Sequence, residues 1–356
     1  MRFSSWIEWL TSWSNNPSIL PPRPPCSGDL CHSIQALTPR FFPSLNPERY
    51  KVNYGPLSVP PIVHQHGKTK AFFFNPAPPC TDCVLTHIQT GLEYTDGTPA
   101  NTNSGMYLRH VVVGNLERDS AVCPLNFEPF FTSGNERSRA ELSANGTLKT
   151  GYYLGPTALL VLHVELLNMW ETEREALLTI DWEWVPASSA EGFRRLTPVW
   201  LDIDGLCSLR NSEVAIPRGE DEVSLRMEPA WKADFAGEVV WTGGHLTDGG
   251  DTLDLTRNGV VVCEQKARYG EWEEYVEVDG SYNNGSYGYG HQAEAREHLS
   301  SMTSCASVGR IEIGDKWAVT ANYNLSKYVP MREGDGRLAP VMGINLMYVV
   351  KDGWQV

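Results

Sequence analysis

What these 356 residues lack narrows them first. Basic side chains are scarce: 29 Lys and Arg stand against 43 Asp and Glu, a formal charge of −14. Such a balance repels phosphate backbones and anionic bilayers, which sets nucleic acid and membrane surfaces aside as partners. No apolar run approaches the ~20 residues of a membrane-spanning helix. Long helical periodicity is nearly absent. The phosphate loop, the nucleophile elbow and the dinucleotide fingerprint are missing, and GRIEIGDKW does not replace the last. No carboxylate pair is placed by its spacing as acid and base. The N-terminus also makes a poor signal peptide, because Glu8 interrupts its apolar patch.

What is there reads as β-structure. MYLRHVVV (106–113), TALLVLHVEL (157–166), ALLTIDWEWV (176–185), GEVVWTGG (237–244), KWAVTANY (316–323) and MGINLMYVV (342–350) are short runs rich in branched and aromatic residues, separated by turns. One short helix is expected at GHQAEAREHL (290–299). The fold class expected is all-β, two jelly-roll-type antiparallel β-sandwich domains side by side. Residues 1–48 are a Pro-rich arm, 49–190 the first sandwich and 191–356 the second, with PASSAEGFRRLTP (186–198) as linker. GSYNNGSYGYG (280–290) reads as a surface excursion or as a lid over a pocket.

Eight cysteines, an even count, and three sequons at Asn145, Asn284 and Asn324 point to a glycoprotein of the secretory lumen or a secreted one, with the cytoplasm as the alternative. Cys80-Thr-Asp-Cys83 has the spacing of a redox or zinc pair, but it lacks a second knuckle. Structural disulfides to distant partners are the expectation there.

Several stretches together resemble one family. They are GLEYTDGTPANTNSGMYLRHVVV, TSGNERS, the GGH of GGHLTDGG, HLSSMTSC and GDGRLAPVMGINLMYVV. They resemble fungal proteins related to the stress-up-regulated nodulin-like group, which is in turn similar to the copper type II, ascorbate-dependent monooxygenases such as peptidylglycine α-hydroxylating monooxygenase. The resemblance runs from about residue 50 to about residue 350. It implies two jelly rolls with a cleft between them and one copper on each. The first copper site, adjacent histidines plus a third, falls on Arg109, His110 and His163, with Glu165 as a rival for the third place. The second, His-Xaa-His plus a Met, falls on His245, Thr247 and Met342.

Each implied site is thus one imidazole short. Arg109 has no lone pair to donate and carries a permanent cation. Thr247 offers a hard, weak donor, whereas copper cycling between its two oxidation states prefers imidazole and thioether. His245 therefore reads as the survivor of a metal site without its metal. His110 alternates with Leu108 and Val112, and His163 sits in LLVLHVELL, so each is equally readable as a hydrogen-bonded core histidine. His64 and His66, the only His-Xaa-His, read as loop residues in a Pro-rich stretch.

Three functions fit. Within the fungal group the chain resembles hetero-Diels–Alderases of tropolonic sesquiterpenoid pathways, which implies a cofactor-free pericyclase joining a tropolone quinone methide to a humulene-type terpene. Its substrates would be small apolar molecules, a polyketide tropolone and a sesquiterpene. Such a site needs no metal: two partners held in a near-attack pose and hydrogen-bond donors at the diene carbonyl suffice. His245, Arg109, His110 and Thr247 are the candidate catalytic groups, and a histidine could serve as the base that expels water from a hydroxymethyl precursor. His163, Trp241, Tyr323 and Met342 are the candidate substrate contacts, in a chain with 12 Trp and 14 Tyr. Arg109 would face away from His110 on a regular strand, so the two share a pocket only where the strand is irregular. The alternatives are a copper-dependent monooxygenase with atypical ligands and a non-catalytic secreted sandwich that binds a ligand.

Overall fold

The computed structural model describes residues 31–76, 78–205, 207, 212–217, 219–277, 296–306, 308–332 and 337–353. Among them there is no α-helix, only short 3-10 turns between strands. The first-half strands are β1 (Cys31–Ala36), β2 (Glu48–Val59), β3 (Lys68–Phe74), β4 (Cys83–Tyr94), β5 (Met106–Asp119), β6 (Phe127–Ser133), β7 (Ala140–Glu141), β8 (Thr150–Leu154), β9 (Leu160–Asn168) and β10 (Arg174–Pro186). The second half holds β11 (Arg194–Asp202), β12 (Glu222–Arg226), β13 (Trp231–Lys232), β14 (Gly237–Leu246), β15 (Gly250–Arg257), β16 (Val260–Tyr269), β17 (Val276–Glu277), β18 (Arg296–Glu297), β19 (Leu299–Met302), β20 (Cys305–Ala306), β21 (Arg310–Ile311), β22 (Lys316–Asn324) and β23 (Gly343–Lys351). The apolar runs read from the sequence all lie within or overlap strands.

The architecture is all-β, with antiparallel sheets stacked as in a sandwich. One large sheet runs β1-β2-β10-β4-β8-β11-β23-β14-β20 through both halves. Its one parallel step joins β8 to β11, where Arg194 and Arg195 pair with Thr150 and Gly151. A four-stranded sheet, β3-β9-β5-β6, belongs to the first half, and β12-β22-β15-β16-β19 to the second. Alternation along each strand sends one row inward. Leu160, Leu162, Val164 and Leu166 of β9 meet Val111 and Val113 of β5 in a first core. Leu253, Leu255, Val319, Ala321 and Met347 build a second. Every residue of β9 is buried, because the face turned away from the first core is also covered over most of its length.

The structure changes four expectations. Cys80 bonds to Cys83, not to a distant cysteine; the CxxC residues sit in one turn with Cα atoms 6.1 Å apart, within reach of a local bridge. Cys123–Cys207 and Cys263–Cys305 are the long-range bridges, and Cys31 is disulfide-bonded too. Such bridges are compatible with an oxidising compartment. The short helix gives way at its end to strand: Arg296–Glu297 pairs with β17, and Leu299–Met302 pairs with β16, which pulls the segment into sheets. The remainder of that stretch lies outside the described residues, as do the Tyr-rich loop and Asn284. The Pro-rich arm is partly sheet, since β1 pairs with β2 along Cys31–Ala36. The linker contracts to residues 187–193, because Arg194 already opens β11. We propose the division near residue 190 on that turn and on the two cores. Asn145 is exposed on a turn, and Asn324 closes β22 half-buried.

Candidate functional site

The pairing of β5 with β9 slips at one residue. Leu108 faces Leu166, yet His110 faces Glu165, so Arg109 is the extra residue of a bulge. This is the irregularity that lets neighbours share a pocket. Arg109 Nε lies 3.3 Å from Glu165 Oε1, and His110 Nδ1 lies 3.7 Å from Glu165 Oε2. Arg109 Nη2 donates to Glu213 Oε1 at 2.8 Å and to the Pro340 carbonyl at 2.7 Å. Lys70 on β3 adds Nζ contacts to Glu165 at 3.1 Å and to Glu213 at 3.4 Å. Two cations and two carboxylates thus balance in one knot. Burial pushes the Glu165 carboxyl up, against the pull of Arg109 and Lys70.

His110 and His163 face each other, with Nε2 and Nδ1 3.2 Å apart. Phe72 lies flat on the His163 ring, with centroids 3.9 Å apart. Burial, then the Lys70 cation, depresses His163 to about 4. Burial depresses His110 as well, followed by repulsion from His163, His245 and Arg109. Both rings are neutral near pH 7, and His110 Nδ1 and His163 Nε2 have no hydrogen-bond partner.

His245 reaches this region from β14. Its ring rests on Gly134, where an added Cβ would overlap the imidazole and crowd the Arg109 carbonyl. Both Glu136 oxygens stand 3.1 Å from His245 Nδ1. Glu136 Oε1 also accepts the Gly134 N–H at 2.8 Å, which fixes the carboxylate. A carboxylate at Nδ1 selects, in any neutral form of the ring, the tautomer that carries its proton there and a lone pair on Nε2. That Nε2 is buried and has no partner.

The other expected residues lie differently. Thr247 shares a 3.1 Å hydrogen bond with the Tyr323 hydroxyl, which donates to the Met342 carbonyl at 2.5 Å. Thr247, Tyr323 and Met342 are therefore brought together, as a buried brace between β14, β22 and β23. Trp241 stacks on Tyr348 with centroids 5.7 Å apart and, with Gly243, Gly244 and Leu346, lines a pocket of about 10 Å³, enough for one water. His64 and His66 sit exposed at a turn, apart from this set.

Sequence reasoning named Glu165 but missed two other carboxylates that organise the site, Glu136 and Glu213. Glu136 was visible inside TSGNERS but carried no spacing signal, and Glu213 comes from a loop. It also missed a second buried knot. Asp248 Oδ2 lies 2.6 Å from His298 Nδ1, while Asp248 Oδ1 accepts from Tyr107 Oη at 3.3 Å and from the Leu299 N–H at 3.0 Å. Glu277 faces the other ring nitrogen of His298 at 3.4 Å. Burial alone would lower His298, but Asp248 and Glu277 outweigh it and raise it. Asp248 is held below the usual carboxylate range, its burial overcome by His298 and Arg296.

Two coppers would need more donors than this set supplies. Among the described residues no group of three His, Cys, Asp or Glu is gathered around a possible ion. Arg109, which the resemblance aligns with the first missing imidazole, has its guanidinium tied down by Glu165 and Glu213. Thr247, which it aligns with the second, has its hydroxyl engaged with Tyr323. The knot of Lys70, Arg109, Glu165 and Glu213 has no spare negative charge to offset a metal. The two copper ligand sets that the resemblance implies are not complete in this chain.

Comparison with known proteins supplies the family. The chain is 30% identical over 328 residues, 92% of its length and 78% of the relative's, to "Probable copper-dependent oxygenase M1" of a Phoma species. It is 30% identical over 266 residues, 74% of its length and 78% of the relative's, to "Probable copper-dependent oxygenase clz3" of Cochliobolus lunatus. The chain belongs to the family of these probable copper-dependent oxygenases. No protein-family model matches it. Among solved structures, PNGF-II in its P21 crystal form overlays 90% of this chain and 62% of its own at 9% identity, with a TM-score of 0.41.

Proposed function

We propose that this family member is an enzyme that works without copper, as a hetero-Diels–Alderase joining a tropolone quinone methide to a humulene-type terpene. One observation carries the reading: the buried Glu136–His245 pair, which presents His245 Nε2 as an unpartnered base where the implied copper set is broken. In this reading Nε2 takes the hydroxyl proton of a hydroxymethyl tropolone. The hydroxymethyl oxygen leaves as water with a second proton from solvent, and the protonated imidazole returns its proton to bulk. The resulting quinone methide adds across one alkene, forming one C–C and one C–O bond with no net oxidation. The neutral His110–His163 pair has one N–H left after its mutual hydrogen bond, and that one donates to a tropolone oxygen; orientation supplies most of the acceleration. Arg109 acts at one remove, since its donors are held by Glu165, Glu213 and Pro340.

The test is adduct formation by protein stripped with a chelator, given the hydroxymethyl precursor and humulene. Unchanged turnover after stripping, with a loss of about 10²–10⁴-fold in His245→Ala, is the expected result. A product that gains an oxygen atom only with added copper, reductant and O₂ would overturn it. That outcome is the second reading, and one observation favours it. The His110 and His163 nitrogens, 3.2 Å apart, are close to the roughly 3.3 Å separation of two imidazoles on one tetrahedral ion with bonds of ~2.0–2.1 Å.

A further inference from the structure

The Glu136–His245 pair is assembled from both halves of the chain. His245 stands on β14, and Glu136 sits in the turn that follows β6. Most hydrogen bonds of that turn keep it in the first half. The Arg137 N–H closes it onto the Gly134 carbonyl at 3.0 Å. Arg137 Nη2 donates to the Ala100 carbonyl at 3.0 Å, and Gln89 Nε2 donates to the Arg137 carbonyl at 3.3 Å. These bonds shape the turn but do not set it against β14.

Asn135 makes the crossing. Its Nδ2 donates to the Leu299 carbonyl on β19 at 3.0 Å. Among the described residues this is the one hydrogen bond, besides the Glu136–His245 contact itself, that ties residues 134–137 to the second half. Leu299 is a firm anchor. Its N–H donates to Asp248 Oδ1 at 3.0 Å, and it pairs with Tyr269 of β16. The His298 N–H beside it reaches the Tyr275 carbonyl at 2.9 Å. Asn135 is fully buried, yet its Oδ1 has no partner. A half-satisfied buried amide is a poor stabiliser, so the worth of this bond lies in where it puts the turn.

Three consecutive residues then act together. The His245 ring rests on Gly134, Asn135 holds Leu299, and Glu136 meets His245. The Glu136 carboxylate stands 3.1 Å from His245 Nδ1 through both oxygens. That is near the long end of the ordinary range of about 2.7–3.2 Å, so a small displacement of the turn loses the contact.

We infer that Asn135 is a positioning residue: its bond to Leu299 docks the Gly134–Glu136 turn onto β19 and so holds Glu136 against His245 Nδ1. This deepens the reading above and rests on it for one thing only, the role of His245 Nε2 as base. The tautomer of the His245 ring is read without turnover, so the two ideas fail separately.

The test is nitrogen NMR of the full chain labelled at histidine, with kcat and KM for adduct formation measured alongside. In the wild type His245 should carry its proton on Nδ1 alone. Asn135→Ala removes the donor, and the ring should then show a mixture of both tautomers. The kcat should fall about tenfold or more with KM little changed, as expected when a catalytic group is misplaced and binding is not. Val319→Ala, which opens a cavity in the second core, should lower stability and leave the tautomer as it is. An Asn135→Ala protein with His245 still protonated on Nδ1 alone would overturn the assignment, whatever its turnover. A mixed tautomer with full turnover would keep the positioning role and remove His245 as the base. Should Asn135→Ala not fold, the wild type decides. The Asn135 side-chain amide and the His245 Nδ1–H should be protected from hydrogen exchange together. A freely exchanging amide beside a protected Nδ1–H would overturn the proposal.

Discussion

Two buried histidine clusters lie in this protein, and they are opposites. His110 and His163 are neutral, held against each other beside cations that balance two carboxylates. His298 is wedged between Asp248 and Glu277 and favours its proton. The first cluster spends one nitrogen of each ring on the other ring and leaves the remaining two without hydrogen-bond partners. The second has Asp248 hydrogen-bonded at Nδ1 and Glu277 at ion-pair distance, 3.4 Å, from Nε2. Burial alone disfavours charge on any imidazole, so the difference comes from the neighbours. Chemistry is expected from the cluster with spare nitrogens. The saturated one ties β5, β14 and β17–β19 together behind the site.

The sharpest way to break that contrast is to remove a partner from the saturated cluster. Asp248→Ala strips His298, Tyr107 and the Leu299 N–H of their acceptor at once. Breaking a buried ion pair from one side costs about 3–5 kcal/mol, so a large fall in denaturation midpoint is expected. A midpoint unchanged within error would show that His298 is not charged there. Next in size is copper uptake. Arg109→His/Thr247→His restores both implied ligand sets, and copper per chain after desalting should rise well above that of the wild type. Equal copper in both proteins would mean that the wild-type donors already suffice, which would favour the oxygenase reading.

How much of this was legible beforehand follows from period. The strands were readable because branched and aromatic residues alternate over each of them, and β14 and β22 stop within two residues of the expected limits. His110, His163 and His245 were readable through the resemblance. The bulge at Arg109 was not, because one extra residue in a ladder leaves no mark on composition. Glu136 and Glu213 come from turns and loops, where no period points. Asp248 and His298 are 50 residues apart and meet only through sheet topology. The CxxC was visible, but its partner was misjudged because local turn geometry does not follow from spacing.

The smaller test is pH. Because His298 is raised above its ordinary 6.5, its contribution to stability is full below about pH 6.5 and is lost as pH rises through the folded-state value. His87 behaves in the opposite sense. Burial pushes it down to about 3, so it folds neutral. Its share of stability is full above about pH 6.5 and is lost as pH falls toward about 3. Each group gives a slope of at most about 1.4 kcal/mol per pH unit. Thermal denaturation across pH should therefore show two limbs with different owners. His298→Asn should flatten the alkaline limb, and His87→Gln the acid limb, with neither touching the other's. If His298→Asn left the alkaline limb intact, the proton would belong elsewhere, and the contrast between the two clusters would lose its basis.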